Sequence, residues 1–259
     1  MIVAIATQKG GTGKTTLSAG LADALTMNGS SVMSLDLDSQ GNLALVAGHE
    51  PSDAASRFLL FGDKVAVPVR PSGKGLRAPW FGIWSNELTR VAEFDARSKG
   101  ADVVAEKIRI LGTESGADFT VIDTKQDTVL QLAACKAAEL VIVPVVPEPL
   151  AVDAMIEQLR ILGASGYNGE VLLQPVMVRK GETVHQEGIG LIEQQVSATV
   201  TVGQPIPQRT IVVKGQNTGK LPSEMRGDGA DDIAALFRML ARYCCAIRME
   251  RLLAGEVSS

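Results

Sequence analysis

The chain has 259 residues, 46% of them apolar and 21% charged, with a net charge of −4 and a pI near 5.3. That length buries one large core, and the acidic balance excludes a global basic field for holding DNA or an anionic membrane. Aromatic residues make up only 4%, too few for the stacking platforms that non-specific single-strand binders need.

The three cysteines, Cys135, Cys244 and Cys245, include no C-x-x-C pair. They read as free thiols of a reducing, cytoplasmic compartment. The first strand pattern starts almost at Met1, which leaves no room for a leader peptide. No run of about 18 apolar residues marks a membrane span. A single domain over residues 1–259 is therefore expected.

The β-branched run Ile2–Ile5 leads into Gln8-Lys9-Gly10-Gly11-Thr12-Gly13-Lys14-Thr15-Thr16 and then a helical pattern. Strand, glycine loop and helix is the order a phosphate-binding loop requires. The pattern G-x-x-x-x-G-K-S/T is met except that Lys9 stands where its first glycine usually is. Glycines let successive N–H groups converge on a phosphate, and the helix N-terminus behind them adds partial positive charge. Lys14 is expected to reach the β- and γ-phosphates of a nucleoside triphosphate, with the Thr15 hydroxyl on Mg²⁺. Lys9 places a second cation at the same cradle; unless it points away, an empty site repels itself and a triphosphate relieves the repulsion.

Leu17, Leu21 and Leu25 give the next helix its stripe, and Asn28-Gly29 ends it. A short strand at residues 32–35 runs into Asp36-Leu37-Asp38-Ser39-Gln40-Gly41-Asn42. Carboxylates two apart on an extended segment point the same way. At the end of a parallel strand they face the phosphate loop, where they can hold a metal's water or orient an attacking one; turn chemistry is the competing reading.

Residues 43–117 carry no motif. A short helix is expected at 53–61, a strand at 64–70, and helices at 87–97 and 102–111. Arg70, Lys74 and Arg77 near Trp80 and Trp84 read as a solvated loop beside two packing tryptophans, in preference to a DNA-contacting one. Phe119–Asp123, a β-branched run ending in aspartate, is a Walker B pattern whose carboxylate accepts from Mg²⁺-bound water opposite Thr15. Residues 140–150 form a buried strand leaving through a proline-stiffened loop, followed by a helix to Gly163. A strand at 171–178 ends at Arg179-Lys180, where Arg179 either stacks on a base or caps a solvated strand end. His49 and His185 are isolated and expected to be exposed, with no ligand role. The last helix, 231–253, buries Ile233, Phe237, Leu240 and Cys244 on one face and puts Arg238 and Arg242 on the other.

The run K-G-G-T-G-K-T-T resembles the deviant P-loop of the ParA/MinD family of ATPases. D-L-D-S-Q-G-N is similar to that family's D-x-D-P-Q-G-N segment, with Ser39 for the usual proline. Residues 140–150 resemble the I-I-P-V-x-P-x-P-L segment of ParF-like partition ATPases, and Gln204 to Arg209 resembles a late I-P-x-x segment. The fold expected is a doubly wound, mainly parallel α/β sheet with a P-loop. The resemblance implies ATP and Mg²⁺ as ligands, held by Lys9, Gly10, Gly11, Thr12, Gly13, Lys14, Thr15 and Thr16, with Pro207 beside the adenine. It further implies that Asp38 positions the hydrolytic water, that Asp36 supports the metal held by Thr15 and Asp123, and that Lys9 crosses a homodimer interface to the partner's nucleotide. The implied cycle is a homodimer closed by ATP, bound to non-specific DNA and reset by a ParB-like or adaptor protein, with no membrane anchor. The DNA contact falls on the region from Pro205 onward, where eight basic residues outnumber six acidic ones. A MinD-like membrane switch, whose basic amphipathic tail is missing here, and a P-loop biosynthetic ligase or synthetase are the alternatives. One departure stands out: the family's proline pair after the Walker B aspartate is replaced by Thr124-Lys125-Gln126-Asp127.

Overall fold

The computed structural model describes residues 1–69 and 78–255. Arg70, Lys74 and Arg77 lie outside the described residues. The opening β-branched run is strand β1 (Ile2–Ile5), buried along its whole length. After it come α1 (Lys14–Met27), β2 (Val32–Asp36), α2 (Asn42–Val46), α3 (Ala54–Phe61), β3 (Val67–Pro68) and β4 (Trp80–Ile83). The middle of the chain supplies α4 (Thr89–Lys99), α5 (Ala101–Glu114), β5 (Phe119–Asp123), α6 (Val129–Ala137) and β6 (Leu140–Val145). The remainder is α7 (Pro149–Ala164), β7 (Glu170–Pro175), α8 (Thr183–Glu193), β8 (Val200–Val202), α9 (Thr210–Asn217) and α10 (Ala230–Leu253).

The strands form one doubly wound sheet in the order β3-β4-β2-β5-β1-β6-β7-β8, parallel throughout except for the β3–β4 pair. Alternation along β1 divides the interior. Val3 and Ile5 face a core built with α1, α2 and α10, while Ile2 and Ala4 face one built with α3 to α7. Both faces are covered, so the central strands read as continuous apolar runs.

Two expected strands are shorter than their sequence patterns. Of the one at 64–70, the described residues form a strand over Val67–Pro68, with the Val69 N–H donating to the Trp80 carbonyl at 2.8 Å. The one at 171–178 stops at Pro175 because the chain turns at Met177, whose φ is +53°. Val178 then makes a lone parallel bridge to Pro207. Helix α1 is buried almost all round because α10 crosses it at Gly20, where an added Cβ would lie 2.3 Å from the Phe237 ring. The packing-tryptophan reading holds: Trp80 and Trp84 are buried, and the Trp80 indole donates to Ser34 Oγ at 2.9 Å. Among the described residues no helix is long and apolar enough to cross a membrane.

Candidate nucleotide site

The site forms at the C-terminal ends of three adjacent strands. The register pairs Ile5 of β1 with Asp123 of β5, and Asp123 in turn with Asp36 of β2. The glycine loop leaving β1 thus sits beside both strand-end aspartates. Gly11 (φ +72°) and Gly13 (φ +76°) take left-handed conformations that curl the loop, and Gly13 caps α1 with no side-chain acceptor. The first N–H groups of α1 are left for an anion.

Lys14 is buried, with its ammonium 3.5 Å from the Lys9 carbonyl. Burial lowers its pKa, while the Asp123 and Asp38 carboxylates pull it back up. Asp123 Oδ1 accepts from Ser18 Oγ at 3.0 Å, and Thr15 also donates to this carboxylate. Asp36 Oδ1 accepts from the Asp38 N–H at 3.0 Å. Asp36 Oδ2 and Asp123 Oδ2 are both buried without a hydrogen-bond partner among the described residues. Desolvation raises the pKa of both groups; their proximity raises that of Asp36 further. Two orphaned carboxylate oxygens beside a threonine hydroxyl are the donor set a hard divalent cation takes, so Thr15, Asp36 and Asp123 fit Mg²⁺.

Asp38 lies beyond the end of β2, in a turn, the competing reading of the sequence, and not on the extended segment. Its Oδ1 accepts from Gln40 N–H at 3.0 Å. The turn closes at Gly41 (φ +64°), where a Cβ would lie 2.6 Å from the Ser85 carbonyl oxygen. Asp38 still reaches the groove at the glycine loop, which it lines with Lys14, Thr15, Asn42, Gln126 and Gly219. The Lys9 ammonium makes no hydrogen bond or ion pair among the described residues.

An apolar cavity of about 120 Å³ adjoins the loop. Thr12, Gly13 and Thr16 line its side next to the glycine loop, and Met177, Ile206, Pro207 and Phe237 form its apolar walls. It could take a flat heterocycle whose anionic tail lies on the glycine loop. Arg179 lines the neighbouring outer groove; its guanidinium is engaged by Gln208 Oε1 (2.6 Å) and Glu182 (3.5 Å). The expected exposure of His185 is wrong. The ring is buried, and its Nδ1 accepts the Arg179 N–H at 3.2 Å, because α8 folds back over the loop after β7.

The sequence reading missed a chain of amides behind the loop, two of them buried and Gln8 half-buried. Gln8 Nε2 donates to Gln131 (3.0 Å) and Gln158 (2.9 Å), and Gln131 Nε2 donates to the Thr7 carbonyl (3.0 Å). Three glutamines on different elements share no local pattern. Their one sequence signal is a polar residue at an inward position of α6 or α7.

The family described as the CobQ/CobB/MinD/ParA nucleotide binding domain matches residues 3–244. Among curated relatives, the chain is 30% identical over 170 residues to a replication protein A of Rhizobium rhizogenes, covering 60% of this chain but 42% of that one. It is 29% identical over 212 residues to the chromosome-partitioning ATPase Soj of Thermus thermophilus, covering 76% of this chain and 74% of Soj. Among solved structures, an aspartate-to-alanine variant of Cyanothece McdA in complex with ATP superposes with a TM-score of 0.79 at 21% identity. That match covers 93% of this chain and 95% of that one, and it speaks for the fold.

Proposed function

This chain belongs to the CobQ/CobB/MinD/ParA nucleotide-binding domain family, and from that premise we propose that it is a ParA-type, Mg²⁺-dependent ATPase of DNA partition or positioning. The observation that carries the reading is the meeting of Asp36 and Asp123, each with a buried oxygen that has no partner among the described residues, beside Lys14 and the glycine loop. Two such carboxylates are costly to bury together, and a bound cation would offset that cost.

Each residue then has a task. The loop N–H groups and Lys14 bind the phosphates, and the cavity at Met177 and Pro207 takes the adenine. Thr15, Asp36 and Asp123 hold Mg²⁺, which when bound neutralises charge on the β- and γ-phosphates. Asp38 orients the water that attacks the terminal phosphorus. Lys9, a cation with no partner in its own chain among the described residues, reaches the nucleotide of a second copy and makes ATP the bond of a homodimer.

The ATP-bound dimer holds DNA through its phosphates, without sequence preference. Arg209, Lys214, Lys220 and Arg226 line one groove next to the base cavity and supply a local cationic surface that the net charge of the chain hides. A ParB-like or adaptor protein stimulates hydrolysis and releases the DNA, so the protein works in the cytoplasm on the nucleoid.

The test is duplex-DNA binding by the purified protein with ATP, with ADP and without nucleotide, for the parent, Lys14→Ala and Asp38→Ala. Binding should need ATP and weaken steeply with salt; Lys14→Ala should abolish it and Asp38→Ala should make it persist. DNA affinity indifferent to nucleotide, or ATP-dependent sedimentation with anionic liposomes instead, overturns this reading.

A further inference from the structure

The loop between β5 and α6 is built like a bracket. At one end the Thr124 hydroxyl donates to the Ile5 carbonyl at 2.7 Å and accepts from Gln131 Nε2 at 3.4 Å. At the other, Thr128 Oγ1 accepts the Gln131 N–H at 3.0 Å, capping α6, and donates to the Lys125 carbonyl at 3.3 Å. Between these posts Asp127 takes φ +54°, a left-handed conformation uncommon outside glycine. Strained residues of this kind gather where a chain segment is held for a task.

What the bracket presents is Gln126. Its amide lies across the bare backbone of Gly10, so closely that a Cβ on Gly10 would sit 3.3 Å from Gln126 Nε2. The side chain lines the same groove as Lys14, Thr15 and Asp38. It is half-buried, yet the amide forms no hydrogen bond with any described residue. Asp38 leaves β2 and Gln126 leaves β5, its neighbour in the sheet, so the two reach the groove from adjacent strand ends.

We propose that Gln126 is a catalytic residue of the ATPase reaction, touching the terminal phosphoryl group and the attacking water together. This rests on the ATPase reading above. A primary amide offers a donor and an acceptor on one rigid plane and carries no charge. Nε2 donates to a γ-phosphoryl oxygen while Oε1 accepts a hydrogen bond from the water, which aims the water's lone pair at phosphorus. The water oxygen bonds to the γ-phosphorus as the bond from that phosphorus to the β–γ bridging oxygen breaks. ADP leaves with the bond's electron pair, and the water's proton ends on inorganic phosphate or solvent. Asp38 accepts the water's other hydrogen bond. Because Gln126 meets only the third phosphate, it also separates ATP from ADP.

The experiment is single-turnover hydrolysis of γ-labelled ATP, together with ATP and ADP affinities and melting temperatures. The proteins are the parent, Gln126→Ala, Gln126→Glu, Lys14→Ala and, as a loop control, Lys125→Ala. Gln126→Ala should lower the hydrolytic rate about 100-fold, the size of losing one preorganised transition-state contact. Its melting temperature should match the parent's, and its preference for ATP over ADP should shrink. Gln126→Glu, which keeps the acceptor and repels the phosphate, should be equally slow and bind ATP more weakly still. Lys125→Ala should behave as the parent. If Lys14→Ala is inactive while Gln126→Ala stays within twofold of the parent rate, the assignment is wrong and the ATPase reading stands. A loss for Gln126→Ala that appears only as a lower melting temperature, with rate and preference intact in the folded fraction, also overturns it. No ATP turnover by the parent removes both.

Discussion

Asp36 and Asp123 stand opposite each other in the parallel register of β2 and β5, and each buries one carboxylate oxygen with no hydrogen-bond partner among the described residues. Without a cation, the protein holds two desolvated acids side by side. Magnesium with ATP should therefore raise the melting temperature more than ATP with a chelator. Asp123→Asn should erase that difference while leaving the nucleotide-free protein at least as stable as the parent. A thermal shift series with and without Mg²⁺ reads this directly; equal stabilisation of parent and variant by Mg²⁺ would place the metal elsewhere.

Lys9 presents an ammonium that makes no bond within its own chain among the described residues. Lys9→Ala should keep ATP affinity within about threefold, since Lys14 and the loop N–H groups supply the cradle. It should remain a monomer at ATP concentrations that dimerise the parent. Light scattering during size-exclusion chromatography distinguishes the two, and an ATP-dependent Lys9→Ala dimer would end the bridging role.

Gly20 lets α10 lie directly on α1. Alanine there is the better helix former by about 1 kcal/mol, yet its Cβ would fall 2.3 Å from the Phe237 ring. Overpacking of this kind costs about 1–3 kcal/mol, so the clash outweighs the propensity and Gly20→Ala should destabilise the protein. Phe237→Leu in the same chain should recover part of the loss, with a non-additive double-mutant cycle in urea unfolding. Additive effects would mean that the helices do not cross here.

Asp23, buried on α1, accepts from the Ser223 N–H (2.8 Å) and Ser223 Oγ (2.7 Å), tying the segment before α10 to the first helix. Burial raises its pKa to about 6, against the lowering effect of those two bonds. A carboxyl whose pKa is raised on folding favours the folded state fully below its unfolded pKa near 3.8, and that contribution is lost as pH rises through about 6. Asp23→Asn can keep both Ser223 contacts, by accepting the N–H and donating to Oγ. It should flatten the stability profile between pH 4 and pH 6 and leave the protein more stable than the parent at pH 7.5. Urea midpoints measured across that range test the sign; an unchanged slope means that Asp23 does not titrate there.

Much of the candidate site was legible in the amino-acid order because its parts are local. A β-branched run, three glycines and Gly-Lys-Thr-Thr specify a strand, a curled loop and a helix start through short-range sterics. The run Phe119–Asp123 likewise announces a buried strand ending in a carboxylate. The stripe on α1 and the buried apolar run that begins at Leu140 pointed to a sheet covered by helices. What sequence order alone left open is adjacency. Asp36 and Asp123 are 87 positions apart, and crossover connections alone make their strands neighbours. The burial of His185, the Gln8–Gln131–Gln158 chain and the amide of Gln126 across Gly10 arise in the same way. Local patterning chose the strands and helices; tertiary packing decided which polar groups lost water together, and the chemistry of the site depends on that shared desolvation.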